Sequence, residues 1–330
     1  MVDGKKLVVS ASPHLRTKDT TRGIMLDVII ALIPALIASA VIFGPRALAV
    51  VATTVISAVL SEFVSRKVMK RHNTIGDLSA VVTGLILAFN LPVSIPLWMA
   101  AIGSFFAIVV VKQFFGGIGQ NFANPAIAAR IFLLISFGQA MGNWTEPFAW
   151  KTADAVTSAT PLALGYHALE CEGSKSLIEM FLGLRGGCLG ETCSVALIIG
   201  GIYLLARKVI SWKIPVAYIG TVAVIMLFAG KFDLGFVAYQ LMGGGLLLGA
   251  IFMATDYSTS PIKSNAKIVF GVGCGLLTCL IRLFGSLPEG VSFAILIMNL
   301  LVPHIETIMA PKPFGTVKEK KSKAKEAEVK

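Results

Sequence analysis

Residues 24–43 read IMLDVIIALIPALIASAVIF, an apolar stretch with a single charged residue, Asp27. A helix that crosses a bilayer needs about 20 consecutive apolar residues, so this stretch predicts a transmembrane helix. Nine further apolar segments follow it, over residues 47–65, 78–90, 95–112, 122–138, 192–210, 213–230, 235–254, 266–285 and 291–309. The chain is therefore predicted to be an all-α integral membrane protein with about ten transmembrane helices.

The composition supports the membrane assignment. Of 330 residues, 55% are apolar and 14% are charged, and the mean hydropathy is +0.80. Soluble domains contain about 25% charged residues, so a soluble globule, a disordered chain and a disulfide-stapled secreted module are excluded. The net charge of +11 is interpreted as loop charge of a membrane protein rather than nucleic-acid binding. Residues 1–23 show no cleavable signal-peptide pattern.

Basic residues predict the orientation. With the N-terminus in the cytoplasm, the cytoplasmic segments hold 22 Lys and Arg residues and the opposite side holds 6. Both termini are thus expected inside the cell, in a cytoplasmic membrane, with membrane lipid as a partner. The predicted parts are a cytoplasmic segment 1–23, a five-helix half 24–138, an extracytoplasmic loop 139–191, a second five-helix half 192–310 and a basic cytoplasmic tail 311–330.

The two halves are predicted to be inverted repeats. Residues 82–89 of the third segment and 244–252 of the eighth are both glycine-then-aliphatic runs followed by a break. An offset of five helices inverts the second half relative to the first. Interrupted helices at matching positions of inverted repeats mark sites near the bilayer midplane.

The loop 139–191 contains an exposed-looking run of small residues, Asp154 to Leu162, with the sequence DAVTSATPL. Its hydroxyl and amide groups can cap a helix or line an anion site. The cysteines of the same loop, Cys171 and Cys188, together with Cys193, fit no zinc spacing, and no metal site is predicted. A structural disulfide among these three cysteines remains an alternative to free thiols.

Four stretches carry a resemblance to a known family. They are Ser12–His14 with Ile24–Val28, then Gly119–Ala126, then Asp154–Thr160, and last Met253–Pro261. The chain resembles the RnfD/NqrB family, membrane subunits of Rnf ferredoxin:NAD oxidoreductases and of sodium-pumping NADH:quinone oxidoreductases. It is more similar to the ferredoxin-dependent branch, because the quinone-reducing relative is longer at its N-terminus.

The resemblance implies a covalent flavin in the loop. Residues Asp154, Thr157, Ser158, Ala159 and Thr160 match the family's acceptor motif position by position. It implies that a flavin transferase attaches FMN to Thr160 through a phosphoester. It further implies an electron-relay component with no catalysis of its own, within a complex that also holds A, B, C, E and G subunits and exports sodium or protons. The flavoprotein of that set, the G subunit, is the expected neighbour.

Three polar residues within or beside the apolar segments have two interpretations each. Asn124 begins an Asn-Pro-Ala sequence that looks like an aquaporin box, but aquaporins need two such boxes and this chain has one. Asn124 is therefore interpreted either as a helix N-cap or as a residue that faces a flavin or an ion path. The side chain of Arg130 is interpreted either as extending to the inner membrane interface or as facing the bundle, where it would hold a flavin or an acidic partner. Asp256 is interpreted either as an acceptor of local capping hydrogen bonds or as part of a site for an ion or a second flavin. The resemblance implies that this second flavin is a noncovalently bound riboflavin.

Two functions of other classes remain open at this point. One is an inverted-repeat transporter or channel without a redox role, in which the 139–191 loop is structural. The other is a membrane scaffold that assembles the remaining subunits. The presence of a covalent flavin on Thr160, and the effect of removing that hydroxyl, distinguish both from the electron relay.

Overall fold

The computed structural model describes residues 19–151, 176–285 and 290–310, and its elements there are helical. The helices before the long loop are α1 (Thr21–Phe43), α2 (Pro45–Val68), α3 (Ser79–Phe89), α4 (Leu97–Phe105, continued as a π-helix over Phe106–Gln113) and α5 (Pro125–Ser136). The later ones are α6 (Leu177–Leu182), α7 (Ser194–Ala206), α8 (Lys213–Ala229), α9 (Leu234–Met242), α10 (Leu246–Leu248, continued as a π-helix over Gly249–Met253), α11 (Ser264–Phe284) and α12 (Val291–Ile308). Each of the ten predicted apolar segments is thus helical, with ends within a few residues of the prediction.

Several of these helices are suited to a bilayer. Four are long and apolar enough to cross it, namely α1, α2, α11 and α12, and the bent pair α9–α10 makes a fifth span if counted as one. The shorter apolar helices are α3, α4, α5, α7 and α8. The coarse prediction of a multi-pass all-helical membrane protein is confirmed at this level.

The start of the chain shows how local sequence sets the helix ends. The Thr20 hydroxyl accepts a hydrogen bond from the backbone N–H of Gly23 at 3.1 Å and caps α1. Gly44 alone separates α1 from α2, with φ at +74°, and Pro45 occupies the first position of α2. A Cβ at Gly44 would lie 2.6 Å from the Trp150 ring, so both the positive φ and the close contact require glycine. The chain therefore passes from α1 to α2 through a one-residue turn.

Small residues let the helices approach one another closely. A Cβ at Gly200 of α7 would lie 2.2 Å from the carbonyl oxygen of Ala31 in α1. A Cβ at Gly84 of α3 would lie 2.9 Å from Cα of Val55 in α2. Since lipid offers no hydrophobic gain for helix association, such backbone contact supplies the packing energy.

Three helices are interrupted inside the bundle. Helix α3 ends at Phe89, α5 begins after Asn124, and the α9–α10 pair bends by 65° around residues 243–245. The eighth segment ends at Met253, directly after its glycine-then-aliphatic run, as predicted, and the structure adds a sharp bend at the glycines that precede the aliphatic residues. Glycine in succession removes the side chains that would otherwise hold a continuous helix.

Candidate functional site

The interrupted helices meet at a group of buried polar side chains, the central polar cluster (Asn90, Arg130, Cys188 and Glu191). Asn90 follows the last turn of α3, and Arg130 lies between one and two turns into α5. Cys188 and Glu191 belong to the segment 188–192 that precedes α7, and every residue of that segment is buried. Backbone bonds from Leu189 N to Leu91 O and from Gly190 N to Phe89 O, both 3.0 Å, hold this segment against the end of α3.

Arg130 is the centre of the cluster. Its guanidinium donates to Asn90 Oδ1 at 2.6 Å, to Glu191 Oε1 at 2.8 Å and to Cys188 Sγ at 3.7 Å. The side chains of Arg130 and Glu191 are 6% and 2% exposed, so water does not screen their attraction. Of the two interpretations of Arg130, the structure supports an acidic partner inside the bundle rather than a side chain that reaches the interface.

Asn124 performs the capping role expected of it and one more. Its Oδ1 accepts from the backbone N–H of Ala126 at 3.0 Å, and Pro125 occupies the first helical position. Its Nδ2 donates to the carbonyl oxygen of Met253 at 3.1 Å, where the α10 π-helix ends. The start of α5 is thereby tied to the end of α10.

A second buried ion pair lies towards the face at which α1 begins. Lys112 Nζ donates to Glu62 Oε2 at 3.0 Å, and both side chains are at most 2% exposed. Glu62 Oε1 accepts from Thr74 Oγ1 at 2.6 Å and from Gln113 Nε2 at 3.1 Å. The carboxylate is therefore fully coordinated by donors, which is what a charge buried within a membrane bundle requires.

The sequence analysis missed this pair. The 22 basic residues assigned to cytoplasmic segments include Lys112. The structure corrects that assignment, because the Lys112 side chain is inside the bundle. Arg185, counted on the opposite side, is 2% exposed and also buried. The available signal was Glu62, a carboxylate within an otherwise apolar predicted span, since such residues are rare and interior-facing.

Ser79 is expected to matter more than an ordinary buried serine. Its Oγ accepts from Lys112 Nζ at 2.7 Å, and hydrogen bonds to charged groups contribute about 1.5–3 kcal/mol. Ser79→Ala should therefore lower the melting temperature of the purified chain more than Ser104→Ala. Ser104 is also buried, but its hydroxyl bonds only the neutral carbonyl of Ala100. Equal losses from the two variants would contradict a charged interaction at Ser79.

A cleft opens beside the Lys112–Glu62 pair, at the face where α1 begins. Its volume is about 780 Å³ when the open mouth is included. Apolar walls come from Ile24, Met25, Val28, Val82, Ile86 and Phe252. Polar groups come from Ser79, Lys112, Asn121, Asn124, Asp256 and Ser258. The cleft thus combines apolar faces with polar edges.

Asp256 lies in this cleft and is also locally bonded. Its Oδ2 accepts from Ser258 Oγ at 2.7 Å and from Thr259 Oγ1 at 3.0 Å, which confirms the capping interpretation. Burial raises the pKa of Asp256 above its usual 3.8, and the hydrogen bonds from Ser258 and Thr259 oppose that rise. Both interpretations of this residue therefore have structural support.

The raised pKa of Asp256 leads to a pH-dependent prediction. The unfolded chain loses this proton at lower pH than the folded chain, so ionisation destabilises the folded state as pH rises above the unfolded pKa of 3.8. Asp256→Asn should raise the melting temperature at pH 7, and the gain should shrink as pH falls towards about 4. Thermal melts of both proteins at the two pH values test this. A variant that is less stable at both would contradict it.

The remaining predicted residues are placed as follows. The flavin motif residues Asp154, Thr157, Ser158, Ala159 and Thr160, and also Cys171, lie outside the described residues. Cys193 has a free thiol, and Cys188 Sγ donates to the carbonyl oxygen of Asn90 at 3.3 Å. A disulfide between Cys188 and Cys193 is thus absent. Arg130 belongs to the central polar cluster, and Asn124 and Asp256 line the cleft.

The architecture and the two buried ion pairs together define a class: a multi-pass helical membrane protein with a polar centre built from interrupted helices. Comparison with known proteins gives the family. The model of the NQR2, RnfD, RnfE family matches residues 8–315, and the chain belongs to this family.

The relatives are similar over nearly their whole length. An Acetobacterium woodii protein, named as the D subunit of a Na(+)-translocating ferredoxin:NAD(+) oxidoreductase complex, is 48% identical over 96% of this chain and 97% of its own. A Clostridium ljungdahlii protein, named as the D subunit of a proton-translocating ferredoxin:NAD(+) oxidoreductase complex, is 43% identical, covering 93% and 96%. A Stutzerimonas stutzeri protein, named as the D subunit of an ion-translocating oxidoreductase complex, is 38% identical, covering 88% and 91%.

Proposed function

We propose that this chain is the membrane electron-transfer component, the D subunit, of an ion-translocating ferredoxin:NAD oxidoreductase complex. In this proposal it carries FMN as a phosphoester on Thr160 and relays electrons between the flavoprotein G subunit and the intramembrane subunits. The observation that carries it is the match of Asp154–Thr160 to a flavin-acceptor motif, in a chain related to named D subunits over almost its full length. The partners are the A, B, C, E and G subunits, with a flavin transferase during maturation.

The role in ion translocation follows from the same relatives. Two of them are named for different ions, sodium and protons, so the proposal is cation translocation driven by the redox reaction. Buried charges at interrupted helices suit an energy-coupling protein, because such groups respond to nearby changes in charge. The flavin supplies the electron chemistry, and the protein supplies its position and electrostatic surroundings.

The helix packing supports the proposed inverted repeat. Helix α2 packs against α4, and α8 packs against α11 at the positions five segments later. Likewise α3 contacts α5, and the π-helix Gly249–Met253 contacts α12. Helices α1 and α7, the first of each half, pack against each other. Corresponding segments therefore have corresponding neighbours.

The cleft is proposed as the place of a second, noncovalent flavin such as riboflavin. An isoalloxazine ring has apolar faces and an edge of hydrogen-bonding groups, and the cleft offers both kinds of surface. Asn121 Oδ1 is buried without a hydrogen-bond partner and can accept from the N–H of such an edge. Asn124, Asp256 and Ser258 are the other residues that would hold it.

A denaturing gel tests the covalent flavin. The full chain is produced with an active flavin transferase and denatured in SDS, and the protein band is examined for flavin fluorescence. We expect a fluorescent wild-type band and dark bands for Thr160→Ala and for the wild type without transferase. Phosphoester attachment at the motif threonine requires all three results.

A dark wild-type band, beside a control acceptor that fluoresces, would refute the covalent flavin. It would favour the second candidate, an inverted-repeat transporter or channel without a redox role. The interrupted helices and the polar centre are the observations that support that candidate.

A further inference from the structure

The N-terminus of α7 is an uncapped helix start in a buried polar environment. Cys193 precedes the helix, and no side chain accepts a hydrogen bond from its first turn. The first backbone N–H groups of a helix have no partner within it and carry the positive end of the helix dipole. Their direction and charge favour an anionic ligand.

Within the part of the chain that the structure describes, two hydroxyl groups beside this helix start have no hydrogen-bond partner. Thr192 is 1% exposed and Ser194 is 0% exposed, and Thr192 Oγ1 and Ser194 Oγ make no hydrogen bond. Buried polar side chains are nearly always bonded, so an unpartnered one indicates a missing ligand or water. The two hydroxyls lie within three residues of each other, with Ser194 in the first turn of α7.

Arg185 adds a positive charge to the same loop. Its side chain is 2% exposed, and its guanidinium donates to the carbonyl oxygen of Glu191 at 2.7 Å. The Glu191 carboxylate is turned the other way and bonds Arg130. Gly183 supports this arrangement: with φ at +93°, it lies so close that a Cβ would be 2.9 Å from Cys193 Cα.

We propose that Arg185, Thr192 and Ser194, with the first N–H groups of α7, form a phosphate-binding site. A guanidinium, hydroxyl donors and helix N–H groups are the combination that binds phosphate oxygens. The phosphate has two sources: the flavin phosphoester, in which case the inference rests on the proposed function, or a free phosphate group. The site itself consists of described residues only.

Phosphate titration of the unflavinylated chain tests the site. The full-length Thr160→Ala protein is melted in detergent with increasing inorganic phosphate, with chloride keeping the ionic strength constant. Binding to the folded state should raise its melting temperature by about 4 °C at a phosphate concentration about 100 times the dissociation constant. The triple variant Thr160→Ala, Thr192→Val and Ser194→Ala should show no such rise. The control is the double variant Thr160→Ala and Ser104→Ala, whose melting temperature should rise as much as that of Thr160→Ala.

The outcomes separate the site from its ligand source. No rise in the Thr160→Ala protein, or an equal rise after removal of both hydroxyls, overturns the site. If the triple variant fails to fold, Ser194→Ala alone in the Thr160→Ala background replaces it, with a diminished rise expected. The same titration is repeated with the flavinylated wild-type protein. If its melting temperature does not rise with added phosphate, the flavin phosphoester already occupies the site; if it rises as much as that of Thr160→Ala, the site binds free phosphate. If the chain takes up no flavin, the proposed function is refuted. The titration of the Thr160→Ala protein still shows whether the phosphate site exists, because that protein carries no flavin.

Discussion

Arg130→Met is expected to destabilise the folded chain by about 3–5 kcal/mol, because it removes a buried cation that donates to the Glu191 carboxylate. Glu191 Oε1 lies 2.8 Å from the guanidinium, and neither side chain is more than 6% exposed. The loss should appear as a sharply lower melting temperature of the purified protein and a lower yield from membranes. The double variant Arg130→Met with Glu191→Leu should lose less than the sum of the two single losses, since the two side chains interact directly.

The matched control for this prediction is Arg207→Met. Arg207 also pairs with a carboxylate, that of Asp27 at 3.3 Å, but its side chain is 59% exposed. Exposed pairs contribute about 0–1 kcal/mol, so this variant should melt close to the wild type. If Arg130→Met were no more harmful than Arg207→Met, the central polar cluster would not be the structural centre of the bundle.

Thr160→Ala in the assembled complex is expected to abolish ferredoxin-dependent NAD reduction, because the proposed carrier is attached through that hydroxyl. The measurement is the oxidoreductase rate of purified complex, normalised to the amount of each subunit. Thr160→Ser retains a hydroxyl and should keep part of the flavin and of the rate. Subunits that still co-purify in the Thr160→Ala complex would show that the loss is not one of assembly.

Thr53→Ala serves as the control for hydroxyl removal. Thr53 lies in α2, and its Oγ1 bonds only the carbonyl oxygen of Ala49, at 2.8 Å. Its loss should leave flavin and rate unchanged. Should the Thr160→Ala complex reduce NAD at the wild-type rate, the chain would be a scaffold, and the electron-relay proposal would fail.

The helices were predictable because their signal is local. Each apolar segment is a run of neighbouring residues, and in a bilayer such a run has to satisfy its backbone by forming a helix. The capping of α5 by Asn124 and of the turn after α10 by Asp256 was equally local, since both involve residues two or three positions apart. Predictions of this kind agree with the structure.

The partners of the buried charges were not predictable. Lys112 and Glu62 are 50 positions apart, and Arg130 and Glu191 are 61 apart. Glu191 appeared to belong to an exported polar loop, yet the segment around it is buried against the end of α3. Periodicity and composition describe neighbours along the chain and carry no information on such distant pairs.

By itself, the sequence determined that this protein is a helical membrane protein and where its helices lie. The physical reason is that bilayer thickness and backbone hydrogen bonding act on contiguous residues. Only the tertiary structure decided which helix ends meet, and that Arg130, Glu191 and Asn90 form one cluster. It also placed Lys112 beside Glu62 at the cleft and left the hydroxyls of Thr192 and Ser194 unpartnered at the start of α7. These features depend on packing between distant segments, where each buried charge has to find its partner in space.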